Sequence, residues 1–110
     1  MPDEKPLGLG LIGCGGFGEF CLDAFRAMEQ VRIAAVADVY KQAAERLGAK
    51  FGVPAHGDPA GLIRQEGVEI VHVATPPGSH HELVMAAIAA GKHVLCEKPL
   101  ATRLGDADEM

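Results

Sequence analysis

Short apolar runs alternate along this chain with longer segments of helical periodicity. Four of the runs predict β-strands, at residues 7–12, 31–37, 70–74 and 93–96. The run at 31–37 is mostly apolar and lacks the alternation of a half-exposed strand, which is typical of a strand covered on both faces in a parallel sheet. Gly8 and Gly10 interrupt the first run. Because glycine weakens a strand, we expect close packing at both positions.

Segments with helical spacing of apolar residues follow the strands. The first segment places six apolar residues on one face that we expect to be core: Phe17, Phe20, Cys21, Ala24, Phe25 and Met28. The second, at about 42–51, ends before Gly52, a typical C-cap glycine. Asp58-Pro59 fits the N-cap and first position of a short third helix. Ser79-His80-His81-Glu82 fits a capping box at the start of a fourth helix.

This order of strands and helices predicts the fold class. Repeated strand–helix units require a parallel sheet with right-handed crossovers and helices on both faces. We therefore expect an α/β protein with a doubly wound parallel sheet. The length of 110 residues is that of one domain.

The residues between the first strand and the first helix fit a dinucleotide-binding loop. Gly13-Cys14-Gly15-Gly16-Phe17-Gly18 has the pattern G-x-G-x-x-G, which alone is weak in a chain with 14 glycines. Here Asp38 follows 20 residues after Gly18, at the end of the second strand, and this context makes the pattern specific. Gly13 permits a tight turn, Gly15 lets a pyrophosphate approach the backbone, and Gly18 lets helix and strand pack closely. The phosphates would face the N-terminus of the helix.

Asp38 predicts which dinucleotide binds. A carboxylate at this position can accept hydrogen bonds from both hydroxyls of the adenosine ribose, and it would repel a 2′-phosphate. NAD is therefore favoured over NADP, although Lys41 is near enough in sequence to weaken the preference. The alternative interpretation is a glycine turn that binds nothing, with Asp38 as a solvated strand end.

Charge and composition narrow the classes of function. A net charge of −5 disfavours nucleic-acid binding, and no apolar run reaches the roughly 18 residues of a membrane span. The polar start of the chain is not a signal peptide. Cys14, Cys21 and Cys96 form no C-x-x-C pair, and no histidine has metal-ligand spacing with a carboxylate or cysteine, so no metal site is predicted. We expect a cytoplasmic protein with reduced cysteines.

Two further segments follow later strands, and they carry a resemblance to a known family. Thr75-Pro76-Pro77-Gly78-Ser79-His80 and Glu97-Lys98-Pro99 should lie on the same rim as the glycine loop, because ligands of open α/β sheets bind outside the carboxyl ends of the strands. With them, the sequence resembles the glucose–fructose oxidoreductase / inositol dehydrogenase (Gfo/Idh/MocA) family of sugar-type dehydrogenases. Glu-Lys-Pro is the most specific match, and Pro77 departs from the family's frequent asparagine.

The resemblance implies a Rossmann fold with strand order 3-2-1-4-5 and a role for each matched residue. Thr75 and Pro76 would line the pocket of the nicotinamide ribose, and Glu97 would contact that ribose or the loop. Lys98 would steady the substrate hydroxyl during hydride transfer, although by residue type alone it would be a surface lysine. His80 has two interpretations, a cofactor contact or a neutral histidine in the first turn of a helix.

The resemblance also implies a second domain that 110 residues do not hold. Family members carry a C-terminal α/β domain that supplies most of the substrate pocket and a histidine general base. We therefore expect residues 1–110 to be the NAD(P)-binding domain of a two-domain oxidoreductase that acts on a sugar, cyclitol or related polyol. The strand at 93–96 would then be an exposed edge through which copies of the chain could pair. The alternatives are a noncatalytic dinucleotide sensor and a structural module that assembles through that edge.

Overall fold

Five parallel strands form one sheet in the computed structural model, which describes residues 5–97. The strands are β1 (Leu7–Ile12), β2 (Val31–Ala37), β3 (Ala55–His56), β4 (Ile70–Val73) and β5 (His93–Cys96). Their spatial order is β3-β2-β1-β4-β5, which confirms the predicted α/β class and strand order. The apolar runs located the other four strands but not β3, because it has only two residues and neither is fully buried.

Four α-helices cover the two faces of the described sheet, and a 3-10 turn at Pro77–Ser79 precedes the last of them. They are α1 (Gly16–Arg26), α2 (Lys41–Phe51), α3 (Pro59–Arg64) and α4 (His80–Ala89). One apolar core lies between the sheet and α1 and α2, and a second lies between the sheet and α3 and α4. Two predicted helix ends are confirmed. Gly52 caps α2 with φ of 68°, and the Asp58 carboxylate accepts a hydrogen bond from the Ala60 N–H at 2.9 Å.

β1 lies at the centre of the sheet and contributes to both cores. Leu9 and Leu11 pack towards α1 and α2, whereas Ile12 packs towards α3 and α4. A Cβ at Gly10 would come within 2.7 Å of the Leu62 side chain on α3. The expectation of close packing at the glycines of this strand is therefore met, because a larger residue would push α3 off the sheet.

The predicted apolar face of α1 was wrong in part. Phe17 and Phe20 are 57% and 69% exposed, and their rings stack with centroids 6.3 Å apart; Met28 is also exposed. The fully buried residues of α1 are instead Gly18 and Leu22. A Cβ at Gly18 would collide with the Gly13 carbonyl oxygen, so the helix begins in direct contact with the backbone. That contact sets which side of the helix faces the sheet, and burial of Leu22 there contributes about 1.5–3 kcal/mol.

Ion pairs connect α1 with α2 on the exposed side of both helices. Glu19 Oε1 is 2.7 Å from Arg46, Glu19 Oε2 is 2.7 Å from Lys50, and Lys50 also lies 3.2 Å from Asp23. Hydrogen bonds from Arg46 and Lys50 lower the pKa of Glu19 to about 2. The network therefore fixes the relative position of the two helices without burying charge.

The described sheet ends at β3 on one side and at β5 on the other. β5 pairs with β4 through His93–Cys96, and no other described strand contacts its outer edge. Pairing of this edge with another copy of the chain stays a prediction. Within residues 5–97, no helix is long and apolar enough to cross a bilayer.

We expect Gly18→Ala to destabilise the protein by about 1–3 kcal/mol, because the added methyl group overlaps the Gly13 carbonyl. Gly16→Ala is the matched control, since a Cβ at Gly16 meets no atom within 4 Å. The control should be neutral or stabilise by about 0.4–1 kcal/mol, because alanine restricts the unfolded chain. Urea unfolding of both variants measures the difference. Equal stability of the two variants would contradict the close helix–loop contact.

Glu19→Gln should reduce stability at neutral pH but not in strong acid. The folded-state pKa of Glu19 is lowered from 4.5 to about 2, so its contribution is fully present above pH 4.5 and is lost as the pH falls towards 2. The contribution is small, because the pairs are exposed and screened by salt. Thermal unfolding of wild type and variant between pH 2 and pH 7 tests this. A difference between the two proteins that grows towards low pH would be inconsistent with the network.

Candidate cofactor-binding site

A cleft of about 790 Å³ lies at the carboxyl ends of the strands. Five residues predicted to bind the cofactor line it: Gly13, Gly15, Asp38, Thr75 and Pro76. They follow β1, β2 and β4 directly in the sequence. The helix after β1 covers one face of the sheet and the helix after β4 covers the other, so the cleft lies at the switch point where open α/β sheets bind ligands.

The glycine loop forms one end of this cleft. Gly13 has φ of 107°, and a Cβ there would come within 2.8 Å of the Ala74 backbone, so only glycine fits the turn. Gly15 is the N-cap of α1 and has no side-chain capping bond, while Cβ atoms at Gly15 and Gly16 would meet nothing within 4 Å. The space beside Gly15 and Gly16 at the N-terminus of α1 is therefore open, which fits the approach of a pyrophosphate to the helix.

Asp38 is held in a fixed orientation beside the loop. Its Oδ2 accepts a hydrogen bond from the Cys14 N–H at 2.8 Å, and its Oδ1 accepts one from the Tyr40 N–H at 2.9 Å. A carboxylate offers about four acceptor positions, so both oxygens can accept further bonds from a ligand. Lys41 is paired with Glu45 at 3.7 Å and does not line the cleft. Its position therefore does not support the expectation that it weakens the preference for NAD over NADP.

Cys14 contributes its backbone and not its thiol. The side chain is buried, and its Sγ donates to the Ala37 carbonyl oxygen at 3.3 Å. Burial, with the charge of Asp38 as the second cause, raises the pKa of the Cys14 thiol to about 12. The thiol is therefore protonated and unreactive at neutral pH, and the residue acts through the N–H that orients Asp38.

The loop after β4 forms another wall of the cleft, and its hydrogen bonds differ from those expected. The hydroxyls of Ser79 and Thr75 are hydrogen-bonded at 2.7 Å, and Ser79 Oγ also donates to the Pro76 carbonyl oxygen at 2.9 Å. Ser79 therefore makes no side-chain cap on α4, and the predicted capping box was wrong. The hydroxyl is used instead to close the loop onto itself, which fixes the position of Thr75.

His80 lies behind this loop. It is fully buried, does not line the cleft, and its Nε2 lies 2.7 Å from the Thr75 carbonyl oxygen, to which the ring N–H donates. The residue therefore supports the cleft wall through Thr75. A direct contact between His80 and a cofactor stays a prediction.

The remaining predicted site residues lie away from the lining of the cleft. Cys14, Gly16, Phe17 and Gly18 belong to the loop and the start of α1. The Glu97 carboxylate points to the α1 face of the sheet, where its Oε2 is 3.6 Å from His72 Nε2. Its contact with a nicotinamide ribose stays a prediction. Lys98 lies outside the described residues, and its catalytic role stays a prediction.

The cleft lining includes residues that the sequence did not predict, and two groups of them come from the start of α3 and from α4. Asp58, Pro59 and Ala60 follow β3, the strand that no apolar run located. Glu82, Leu83 and Ala86 lie on one face of α4. Asp58 lies just after the end of β3, and this position could have indicated the first group. The sequence explained Asp58 only as the N-cap of α3. The second group was hidden because its helical spacing also fits core packing.

Comparison with known proteins decides the family. Residues 7–110 match the oxidoreductase family with an NAD-binding Rossmann fold, Gfo/Idh/MocA. This chain belongs to that family. The resemblance stated from Gly13–Gly18, Asp38 and the two later segments is thereby confirmed.

Three similar proteins illustrate the family. The myo-inositol 2-dehydrogenase of Thermotoga maritima is 36% identical over 103 residues, which are 93% of this chain and 31% of that protein. An oxidoreductase from Agrobacterium radiobacter, solved with NAD⁺, L-tartaric acid and magnesium, has a TM-score of 0.89 at 35% identity over 94% of this chain and 30% of its own. A 3-ketoreductase from Actinomadura kijaniata, solved with TDP-benzene and NADP, has a TM-score of 0.88 at 32% identity over 94% of this chain and 33% of its own.

The family match establishes an NAD-binding Rossmann domain, and it leaves the choice between NAD and NADP to the residues of this chain. The chain spans about a third of the length of these relatives. The relatives are thus long enough to hold a further domain beyond the one matched here.

Gly15→Val should abolish measurable NAD binding, because the added side chain enters the open space above the N-terminus of α1. Stability should change by less than about 1 kcal/mol, since the extended backbone at Gly15, with φ of −79° and ψ of −171°, accommodates valine. Gly57→Val is the matched control, because Gly57 is equally open but does not line the cleft. Calorimetric titration with NAD measures both variants. Retained binding in Gly15→Val would exclude the loop as the pyrophosphate site.

Proposed function

We propose that this chain is the cofactor-binding part of an oxidoreductase that transfers hydride between nicotinamide and a sugar, cyclitol or related polyol. The cleft at the switch point carries the proposal, because it joins an open helix N-terminus, an oriented Asp38 and the Thr75-Pro76 wall. The names of the relatives, such as myo-inositol 2-dehydrogenase and D-apiose dehydrogenase, support the substrate class.

The residues of the cleft would divide the work of binding. The first turn of α1 would hold the pyrophosphate through backbone N–H groups, with no side chain at Gly15 in the way. Asp38 would accept hydrogen bonds from the adenosine ribose, and its charge favours NAD over NADP. Thr75 and Pro76 would then lie along the nicotinamide end, in a loop held rigid by Ser79 and His80.

The chemistry that the cofactor supplies when bound is hydride transfer. Lys98 is proposed to donate a hydrogen bond to the reacting hydroxyl of the substrate, which would stabilise charge on that oxygen. A second α/β domain, supplied beyond residues 1–110, is proposed to provide the rest of the substrate pocket and the general base. The length of the relatives supports this division.

We extend the proposal to a cytoplasmic location. Cys14, Cys21 and Cys96 are all free, which fits a reducing compartment. The distribution of an epitope-tagged chain among cell fractions can check this part of the proposal independently of activity.

Calorimetric titration of the chain with NAD and with NADP tests the cofactor assignment. We expect tighter binding of NAD, and Asp38→Asn should weaken it about tenfold or more, because a charged acceptor contributes about 1.5–3 kcal/mol. The same variant should raise the affinity for NADP relative to NAD, since the repulsion of a 2′-phosphate is removed. Glu45→Gln is the control, because Glu45 is an exposed acid outside the cleft lining.

The outcomes separate the competing functions. A folded chain that gives no heat with either dinucleotide would refute the proposal and favour a structural module. NAD binding together with failure of the complete protein to reduce NAD in the presence of polyols would favour a noncatalytic sensor.

A further inference from the structure

Three side chains with metal-binding atoms meet on the α1 face of the sheet, apart from the cleft. Cys21 lies on α1, His72 on β4, and Glu97 directly after β5. The thiol sulfur, an imidazole nitrogen and a carboxylate oxygen all lie within 4.8 Å of one another. None of the three residues lines the cofactor cleft. We refer to Cys21, His72 and Glu97 as the α1–β4 cluster.

His72 is the residue that needs an explanation. It is 1% exposed, and neither of its ring nitrogens has a hydrogen-bond partner among the described residues. Phe25 packs edge-on against the ring with centroids 5.6 Å apart, so an apolar neighbour covers one side. Buried polar atoms are normally hydrogen-bonded, and an exception of this kind points to a ligand, an ion or a functional role.

The group that the His72 ring faces is the Glu97 carboxylate. The separation of 3.6 Å between Nε2 and Oε2 is too long for an N–H···O hydrogen bond, which spans about 2.7–3.2 Å. It does match two ligands of one metal ion. Bonds of about 2.0–2.3 Å in a tetrahedral arrangement place ligand atoms roughly 3.3–3.8 Å apart. The Cys21 sulfur lies within 4.8 Å of both atoms, so a shift of about an ångström would bring it within the same spacing.

We propose that the α1–β4 cluster binds one divalent transition-metal ion, with Zn²⁺ as the ion that best fits its donors. A thiolate, a neutral imidazole and a carboxylate form a mixed sulfur, nitrogen and oxygen set, which selects zinc over the hard cations Mg²⁺ and Ca²⁺. Binding releases the thiol proton of Cys21 to solvent, so that the sulfur coordinates as thiolate. Glu97 is only partly buried, which leaves room for water as the fourth ligand.

The ion would connect three parts of the fold at one point. It would tie α1 to β4 and to the residue that leads into Lys98 and Pro99. A coordinated Glu97 would stay on the α1 face and could not turn towards the cofactor cleft. The site would therefore fix the start of the Glu-Lys-Pro segment, and it is independent of whether the cleft holds NAD.

Cobalt substitution tests the proposal on the full chain, reduced and freed of metal with a chelator. Titration with Co²⁺ should reach one equivalent and produce visible d–d bands of a four-coordinate ion together with a near-ultraviolet thiolate-to-cobalt band. Zn²⁺ should displace the cobalt and remove both signals. Zn²⁺ should also raise the midpoint of thermal unfolding, because it binds the folded state.

Two cysteine variants provide the decisive comparison. Cys21→Ser should lose the thiolate-to-cobalt band and the thermal shift. Cys96→Ser is the matched control and should keep both, because Cys96 precedes Glu97 in the sequence but its sulfur is not part of the cluster. Glu97→Gln should weaken zinc binding at least tenfold, and since this side chain is partly exposed, the variant should fold even if Cys21→Ser does not.

Three outcomes would contradict the proposed metal site. The proposal fails if metal-free chain gives no thiolate-to-cobalt band. It fails also if Cys21→Ser and Glu97→Gln bind cobalt as the wild type does, which would show adventitious binding elsewhere. Loss of the band in Cys96→Ser with retention in Cys21→Ser would assign the metal to a different sulfur. Titration of the two cysteine variants with NAD separates these results from failure of the cofactor cleft, because neither cysteine lines it.

Discussion

The contact between Gly18 and the Gly13 carbonyl is the constraint on which the site depends. With no side chain at Gly18, the first turn of α1 lies against the turn that leaves β1. That contact places the N-terminus of the helix at the carboxyl end of the central strand. In the same loop, the Cys14 N–H donates to the Asp38 carboxylate at 2.8 Å, so the open N-terminus of α1 and Asp38 are held beside each other.

Hydrogen bonds within the loops then hold the cleft walls in place. Cys14 orients Asp38 through its N–H, and His80 holds the Thr75 carbonyl from behind. Ser79 closes the same loop through the Thr75 hydroxyl. Such preorganised supports lower the entropy lost when a ligand binds, because the contacting groups are already in place. Residues that match a family motif can therefore support the walls of a binding site.

Sequence patterns succeeded where the chemistry is local in the chain. The glycine loop, Asp38 and the caps at Gly52 and Asp58 each depend on neighbours a few residues away or on one strand–helix–strand unit. The same patterns failed at Phe17 and Phe20, whose helical spacing fitted a core face although both are exposed. They failed again at Ser79. Its hydroxyl bonds to Thr75 within the loop and does not cap α4.

The sequence by itself determined the parallel α/β fold, the strand order through its family resemblance, and the glycine turn after β1 with Asp38 beside it. These features follow from the periodicity of apolar residues and from a turn whose backbone geometry requires glycine. Tertiary structure alone decided which side of α1 is buried, which residues of α3 and α4 line the cleft, and that Cys21, His72 and Glu97 meet. The physical reason is that each of these depends on the distance between elements far apart in the chain, and packing sets that distance.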